Sequence, residues 1–247
     1  MPIINDTQLD QIILPNSHYG YSATRLEELG ATEYTIATIV ADVSGSTAAF
    51  TFDMESAITR IVQACKFSPR ADNLLLRLIA FDDSLNEIHG FKLLENCHLA
   101  DYGGCLRSGG STALYDATEN AVASTTNYAQ KLVAGDFSAN SILFVITDGM
   151  DNVSKSTARR VKAALAEAVR SEALESIVSV LIGVNVNDLQ VSRYLRNFHL
   201  EAGFTQYVEL DNADAKTLAR LAEFVSKSIS AQSQALGTGG ASQPLVF

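Results

Sequence analysis

Long apolar runs are missing from this sequence: none approaches the roughly 18 residues that a membrane-spanning helix needs, so no membrane partner is expected. Cysteine is scarce. Cys65, Cys97 and Cys105 form an odd set without C-x-x-C spacing, which argues against a disulfide framework and a zinc site and leaves buried or incidental thiols. Positive charge is also short, with 18 Lys and Arg against 28 Asp and Glu and a net charge of −10. Phosphate affinity comes mainly from clustered basic residues, so no nucleic-acid partner is expected. The pair Arg159-Arg160 stands among helix-forming residues and reads as solvated surface. The opening residues, Met1-Pro2-Ile3-Ile4-Asn5-Asp6, lack a basic stretch followed by an apolar one, so no secretory signal is expected and the location is cytoplasmic.

Catalytic signatures are absent too. There is no G-x-S-x-G elbow and no H-E-x-x-H helix. Residues 148–152 lack the alternating acids and closing Glu of an EF-hand. An aspartyl-nucleophile phosphatase needs a second acid two residues after Asp42, where this chain has Ser44. His18, His89, His98 and His199 are scattered, and only His89 and His98 have a prospect of converging. The chain is therefore expected not to be an enzyme.

What is present is an alternation of strand-like and helix-like segments from residue 34 onward. Residues 34–41 are a β-branched run fit for a buried central strand, and 141–147 are a second. Segments 73–82 and 87–94 read as a hairpin joined at Asp83-Ser84, with strands at 176–183 and 205–210 completing six. Helical spacing covers 48–67, with Phe52, Ile58, Ile61, Val62 and Cys65 on one face, then 112–133, 154–171, 191–200 and 213–230. Residues 94–110 read as a loop with one helical turn near His98. The expected fold class is α/β: an open, doubly wound, mostly parallel six-stranded sheet with one antiparallel edge strand and helices on both faces. Residues 1–33 form an N-terminal extension with a short helix near 26–30, 34–233 one domain, and 234–247 a flexible Ser-, Gln- and Gly-rich tail. That tail ends in Pro244-Leu245-Val246-Phe247, which reads either as a disordered end or as a docking peptide that self-assembles in a neighbour's groove.

Three segments carry oxygen donors at the ends of strands or starts of helices. Asp42-Val43-Ser44-Gly45-Ser46 follows the first buried strand, and Gly45 frees the backbone to curl its alternate side chains around one point. Thr112 follows the pair Gly109-Gly110, and Asp148-Gly149 ends the second buried strand. Carboxylates and hydroxyls suit a hard cation. Taken singly, each segment is an ordinary cap or turn.

Together, Asp42-x-Ser44-x-Ser46, Thr112 and Asp148-Gly149 resemble the metal-ion-dependent adhesion site (MIDAS) of von Willebrand factor A-type (vWA) domains, and the resemblance covers about residues 34–230 in element order. It implies a Rossmann-like sheet ordered 3-2-1-4-5-6, counted from residue 34, with strand 3 antiparallel. It also implies that Ser44 and Ser46 bind the metal directly, Thr112 directly or through water, and Asp42 and Asp148 largely through water. The implied cation is Mg²⁺, with Mn²⁺ or Ca²⁺ as alternatives. Left poorly neutralised, such a cation attracts an acidic residue of a partner protein. Asp116, one helical turn past Thr112, and Asp151 are candidates to stand behind the site with Gly45 and Gly149, and Asp151 and Asn152 could shape its rim; a solvated helix position and turn residues are the competing readings.

The function implied is a bacterial, divalent-cation-dependent protein-binding adaptor or scaffold module. Free-standing family domains of this kind resemble adaptors that work beside AAA+ ATPases or kinase and phosphatase modules. The alternatives are a non-catalytic subunit of an AAA+ or chelatase-like complex, or a component of a tellurite-resistance-like stress or phage-defence system. A metal-dependent hydrolase lacks a paired base and nucleophile near Asp42.

Overall fold

The computed structural model describes residues 9–14 and 20–247. Its centre is β3 (Glu33–Asp42), where Thr35, Ile36, Thr38, Ile39 and Val40 supply the β-branched side chains that suit a pleated, doubly covered strand. It pairs in parallel with β4 (Leu74–Phe81) on one side and β6 (Ser138–Thr147) on the other. Then β7 (Ile177–Gly183) and β8 (Gln206–Glu209) continue the parallel set beyond β6, while β5 (Leu85–Leu93) turns back antiparallel against β4. Successive side chains of β3 alternate faces. Ala37 and Ile39 join one apolar cluster with helices α1 (Thr51–Lys66) and α5 (Ala215–Thr238). Val40 joins the opposite cluster with α2 (Leu114–Ala134), α3 (Ala158–Arg170) and α4 (Leu189–Ala202). No helix among the described residues is long and apolar enough to cross a membrane.

The expected order of the six strands is present, but the sheet has eight. The extra pair is the antiparallel hairpin of β1 (Leu9–Ile13) and β2 (Gly20–Thr24), and β2 adds in parallel to β5. The antiparallel strand β5 is thus interior and not an edge strand. A single position permits this approach: a Cβ on Gly90 would stand 1.9 Å from the Ser22 carbonyl oxygen. Glu87 secures the junction by accepting from the Ser22 amide at 2.8 Å, the Ser22 hydroxyl at 2.6 Å and Arg77 Nε at 2.7 Å. Arg77 is fully buried and lies over the rings of Tyr21 and Phe91.

Other boundaries differ locally. Residues 26–28 form the short 3-10 turn expected in the extension. A 3-10 turn at Gly45–Ala49 precedes α1, and Phe52, expected on its buried face, is 77% exposed. The 94–110 segment holds two 3-10 turns, Leu94–Asn96 and Leu99–Tyr102.

The closing helix runs past residue 230 to Thr238, because its polar residues are satisfied inside the fold. Gln232 is buried and donates to the Ser141 carbonyl at 3.1 Å and to Ser176 Oγ at 2.9 Å. The segment expected to be a free tail then lies against the body of the protein. Leu245 and Phe247 pack on the α1/α5 cluster, Phe247 sits edge-on to Phe224 with Arg220 over its ring, and the Leu245 carbonyl accepts from Gln206 at 3.0 Å.

Candidate metal centre

Strands β3, β4, β6, β7 and β8 share one direction, so their carboxyl ends meet along one edge, where open α/β sheets bind ligands. Ala41 of β3 pairs with Ile146 of β6, and Asp42 and Asp148 therefore leave that edge through adjoining loops. Asp42 is buried. One of its oxygens accepts from the Ser44 amide at 2.8 Å, and the other from the Thr147 hydroxyl at 2.6 Å. The Ser44 hydroxyl lies 3.2 Å from that of Ser46, which donates to Asp148 at 2.8 Å. Asp42, Ser44, Ser46 and Asp148 thus form one connected set of oxygens, closed on the inner side by Thr147.

The Thr112 loop joins from the side. Gly45 N donates to the Gly110 carbonyl at 3.2 Å, and Gly109 N to the Val43 carbonyl at 2.8 Å. Gly110 is needed as glycine: its φ is +67°, and a Cβ there would press at 3.2 Å on the carboxyl groups of Asp82 and Asp83. Thr112 is 5% exposed and its Oγ1 lies over Gly149, 3.8 Å from where a Cβ on that glycine would be. Among the described residues no hydrogen bond engages this hydroxyl.

The electrostatics are those of an uncompensated buried carboxylate. Burial raises Asp42 from 3.8 to about 6, opposed by the hydrogen bonds from Thr147 and Ser44, while Asp148 adds repulsion. The groups acting most strongly on it include no basic side chain. Asp148 is also raised by burial, with the Ser46 hydroxyl pulling the other way.

The donor set fits a hard divalent cation. It consists of oxygens only, includes the Thr112 hydroxyl that no hydrogen bond engages, and pairs two carboxylates that no basic side chain among the described residues neutralises. No group of three or more His, Cys, Asp or Glu side chains placed to hold a metal is found among the described residues. Asp42, Ser44, Ser46, Thr112 and Asp148 are the residues that would hold the ion, which would supply a positive charge to an incoming anion.

Asp116 and Asp151, expected behind the site, engage backbone amides of the segments around it. Asp116 accepts from the amides of Lys155 at 3.1 Å and Ser156 at 2.7 Å, and Asp151 accepts from the Tyr115 amide at 3.1 Å and from Ser154. Both tie α2 to the loop after β6. His89 does not converge with His98: its ring nitrogens engage the Gly90 carbonyl at 2.9 Å and Tyr102 Oη at 3.0 Å within the core. All three cysteines are buried and free.

One residue, Thr147, escaped the sequence reading, and a second, Asn152, was expected only at the site's rim or in a turn. Thr147 buttresses Asp42 from the end of β6, and its place next to Asp148 was the available signal. Asn152 Oδ1 accepts from the Thr112 amide at 2.9 Å, and no local pattern announces that pairing.

No family model and no curated protein matches the sequence. Among solved structures the chain is similar to the D319A mutant of the PilB minor pilin from Streptococcus sanguinis, with a TM-score of 0.60 and 14% identity over 89% of this chain and 66% of that one. It is similar to the open conformation of the pilus adhesin SpaC from Lactobacillus rhamnosus GG, with a TM-score of 0.55 and 14% identity over 81% of this chain and 30% of that one. It is also similar to proximal thread matrix protein 1 from the mussel byssus with a zinc-occupied MIDAS motif, at a TM-score of 0.52 and 22% identity, over 81% of this chain and 46% of that one. The chain thus spans less than two thirds of each of these structures. At such identities the likeness is one of fold, an α/β fold resembling that of vWA domains.

Proposed function

We propose that this protein is a non-enzymatic, divalent-cation-dependent protein-binding module. In this reading Asp42, Ser44, Ser46, Thr112 and Asp148 hold Mg²⁺, or Mn²⁺ or Ca²⁺ in its place, and the bound ion receives an acidic side chain of a partner. The observation that carries it is the connected oxygen set at the sheet edge, with the Thr112 hydroxyl unengaged and two carboxylates unneutralised among the described residues. Hydroxyl donors neutralise less charge than carboxylates would, so the ion keeps its attraction for an outside anion. Support of a coarser kind comes from the fold's likeness to a minor pilin, a pilus adhesin and a matrix protein, the last with zinc in its MIDAS motif.

The test is capture of partner proteins on immobilised protein with Mg²⁺ or with excess chelator. Capture should need the cation, be competed by millimolar acetate, and be lost in Asp42→Ala and Ser44→Ala variants whose circular dichroism is unchanged. Capture that survives chelator and both substitutions overturns the metal-bridge reading. A non-enzymatic role predicts no turnover of a generic phosphoester in Mg²⁺.

A further inference from the structure

A helix leaves its first amide groups without partners, and a side chain at the N-cap normally satisfies one of them. Helices α3, α4 and α5 carry their own caps in Thr157, Asp188 and Asp214. Helix α2, which starts two residues after Thr112, has Ala113 at its N-cap, a residue whose methyl group can accept no hydrogen bond. Its donors are met from elsewhere. Ala113 N donates to the Asp82 carbonyl at 2.7 Å, Tyr115 N to Asp151 at 3.1 Å and Asp116 N to Ser154 Oγ at 3.0 Å. The loop that supplies Asp148 therefore also caps the helix that follows Thr112.

The tightest part of this clamp is reciprocal. Asn152 Oδ1 accepts from Thr112 N at 2.9 Å, and Asn152 N donates to the Thr112 carbonyl at 3.0 Å. Both backbone groups of Thr112 are held by one residue, while its hydroxyl stays free above Gly149. Asp116 closes the other side by accepting from Lys155 N and Ser156 N. By contrast, the Thr112 loop meets the 42–46 segment through the two backbone bonds at Gly45 and Gly109.

We propose that Asn152 is the positioning residue of this site, holding the Thr112 hydroxyl over Gly149, the residue after Asp148, so that the two donors form one preformed unit and do not approach the ion independently. This rests on Thr112 being a cation donor, as the proposed function has it. Asn152 itself is exposed, so its replacement opens no core.

The test is calorimetric titration of the full chain with Mg²⁺ alone and with Mn²⁺ alone. Asn152→Ala should weaken cation binding about tenfold, the range seen when a residue that orients a ligand is removed. Asn152→Asp keeps the acceptor and should stay within about threefold of wild type on the same scale. Thr112→Val should weaken binding as well, and in that background Asn152→Ala should add less than about twofold, because coupled residues are not additive. Exchange of the Thr112 amide should also quicken in cation-free Asn152→Ala. Equal losses from Asn152→Ala in both backgrounds, or none in either, overturn the positioning role alone. An unchanged affinity in Thr112→Val, or no cation binding by wild type, overturns the proposed function together with it.

Discussion

Replacing Asp42 by Asn separates the cost of its charge from its geometry. The amide keeps an acceptor for the Ser44 amide and offers a donor to Thr147 Oγ1, which can turn toward the Gly149 carbonyl 3.4 Å away. Burial raises the Asp42 carboxyl from 3.8 to about 6, so the fold favours its protonated form. The stabilisation from that form is whole below pH 3.8 and is lost as the pH rises through about 6. At pH 7.5 the cation-free wild type carries an ionised, buried carboxylate at a cost of about 3 kcal/mol, taking about 1.4 kcal/mol per pH unit. In chelator at that pH Asp42→Asn should be the more stable protein by up to this amount, roughly 6–12 °C in Tm.

Thermal unfolding at a series of pH values checks both size and sign. The gap should close on acidification toward pH 4, where both proteins are neutral at residue 42. Added Mg²⁺ should then reverse the order: at a hundredfold excess over Kd wild type gains about 2.7 kcal/mol, and the variant, short of a ligand charge, gains little. A variant less stable than wild type in chelator at pH 7.5, or a gap that does not close in acid, contradicts a buried, unneutralised Asp42.

Four further outcomes are expected. Glu87→Ala leaves Arg77 buried without its carboxylate and should lower stability by about 3–5 kcal/mol in urea unfolding; a loss under about 1 kcal/mol would contradict the buried pair. Gly90→Ala should free β1 and β2 from β5, seen as faster amide exchange confined to those three strands, whereas unchanged exchange would mean that the close approach is not made. Phe247→Ala should cost about 1–3 kcal/mol, since its ring packs on Phe224 beneath Arg220; unfolding unchanged from wild type would mean that the last residues do not pack. Burial holds His89 down near 4 from its ordinary 6.5, so its imidazole signals should not titrate between pH 5 and 8. The stability tied to neutral His89 is lost as the pH falls from 6.5 toward 4, and a midpoint near 6.5 would place the ring in water.

The sheet's centre was legible because β3 and β6 are continuous apolar runs, which only a strand covered on both faces tolerates. The β1–β2 hairpin was not, since β1 is half exposed and shows no clean alternation. Its main trace is Gly90, a glycine inside a strand whose partner lies 68 residues earlier at Ser22. Helical period misled at Phe52, which has core spacing but lies at the exposed start of α1. At the far end, Gln232 and Ser233 look like linker composition, yet hydrogen bonds to Ser141, Ser176 and Arg70 bury them. Gly237 also reads as linker, but Arg70 fills the space its side chain would take. In the site, Asp42, Ser44 and Ser46 were legible because their spacing is local. Thr147 and Asn152 depend on how two distant loops run beside each other, which no short pattern encodes.

One flank of the sheet is closed by β1 and β2 beside β5, and next to the other the Leu245 carbonyl accepts from the Gln206 side chain of β8 while Phe247 packs on α5. The oxygen-lined edge faces neither flank. Loss of β1 and β2 would uncover the hydrogen-bonding backbone of β5, and loss of the Leu245 and Phe247 contacts would uncover apolar surface on α5, both of which favour aggregation. Damage to either segment should therefore appear as precipitation, while the oxygen-lined edge, to which the proposed function assigns the ion, keeps its side chains.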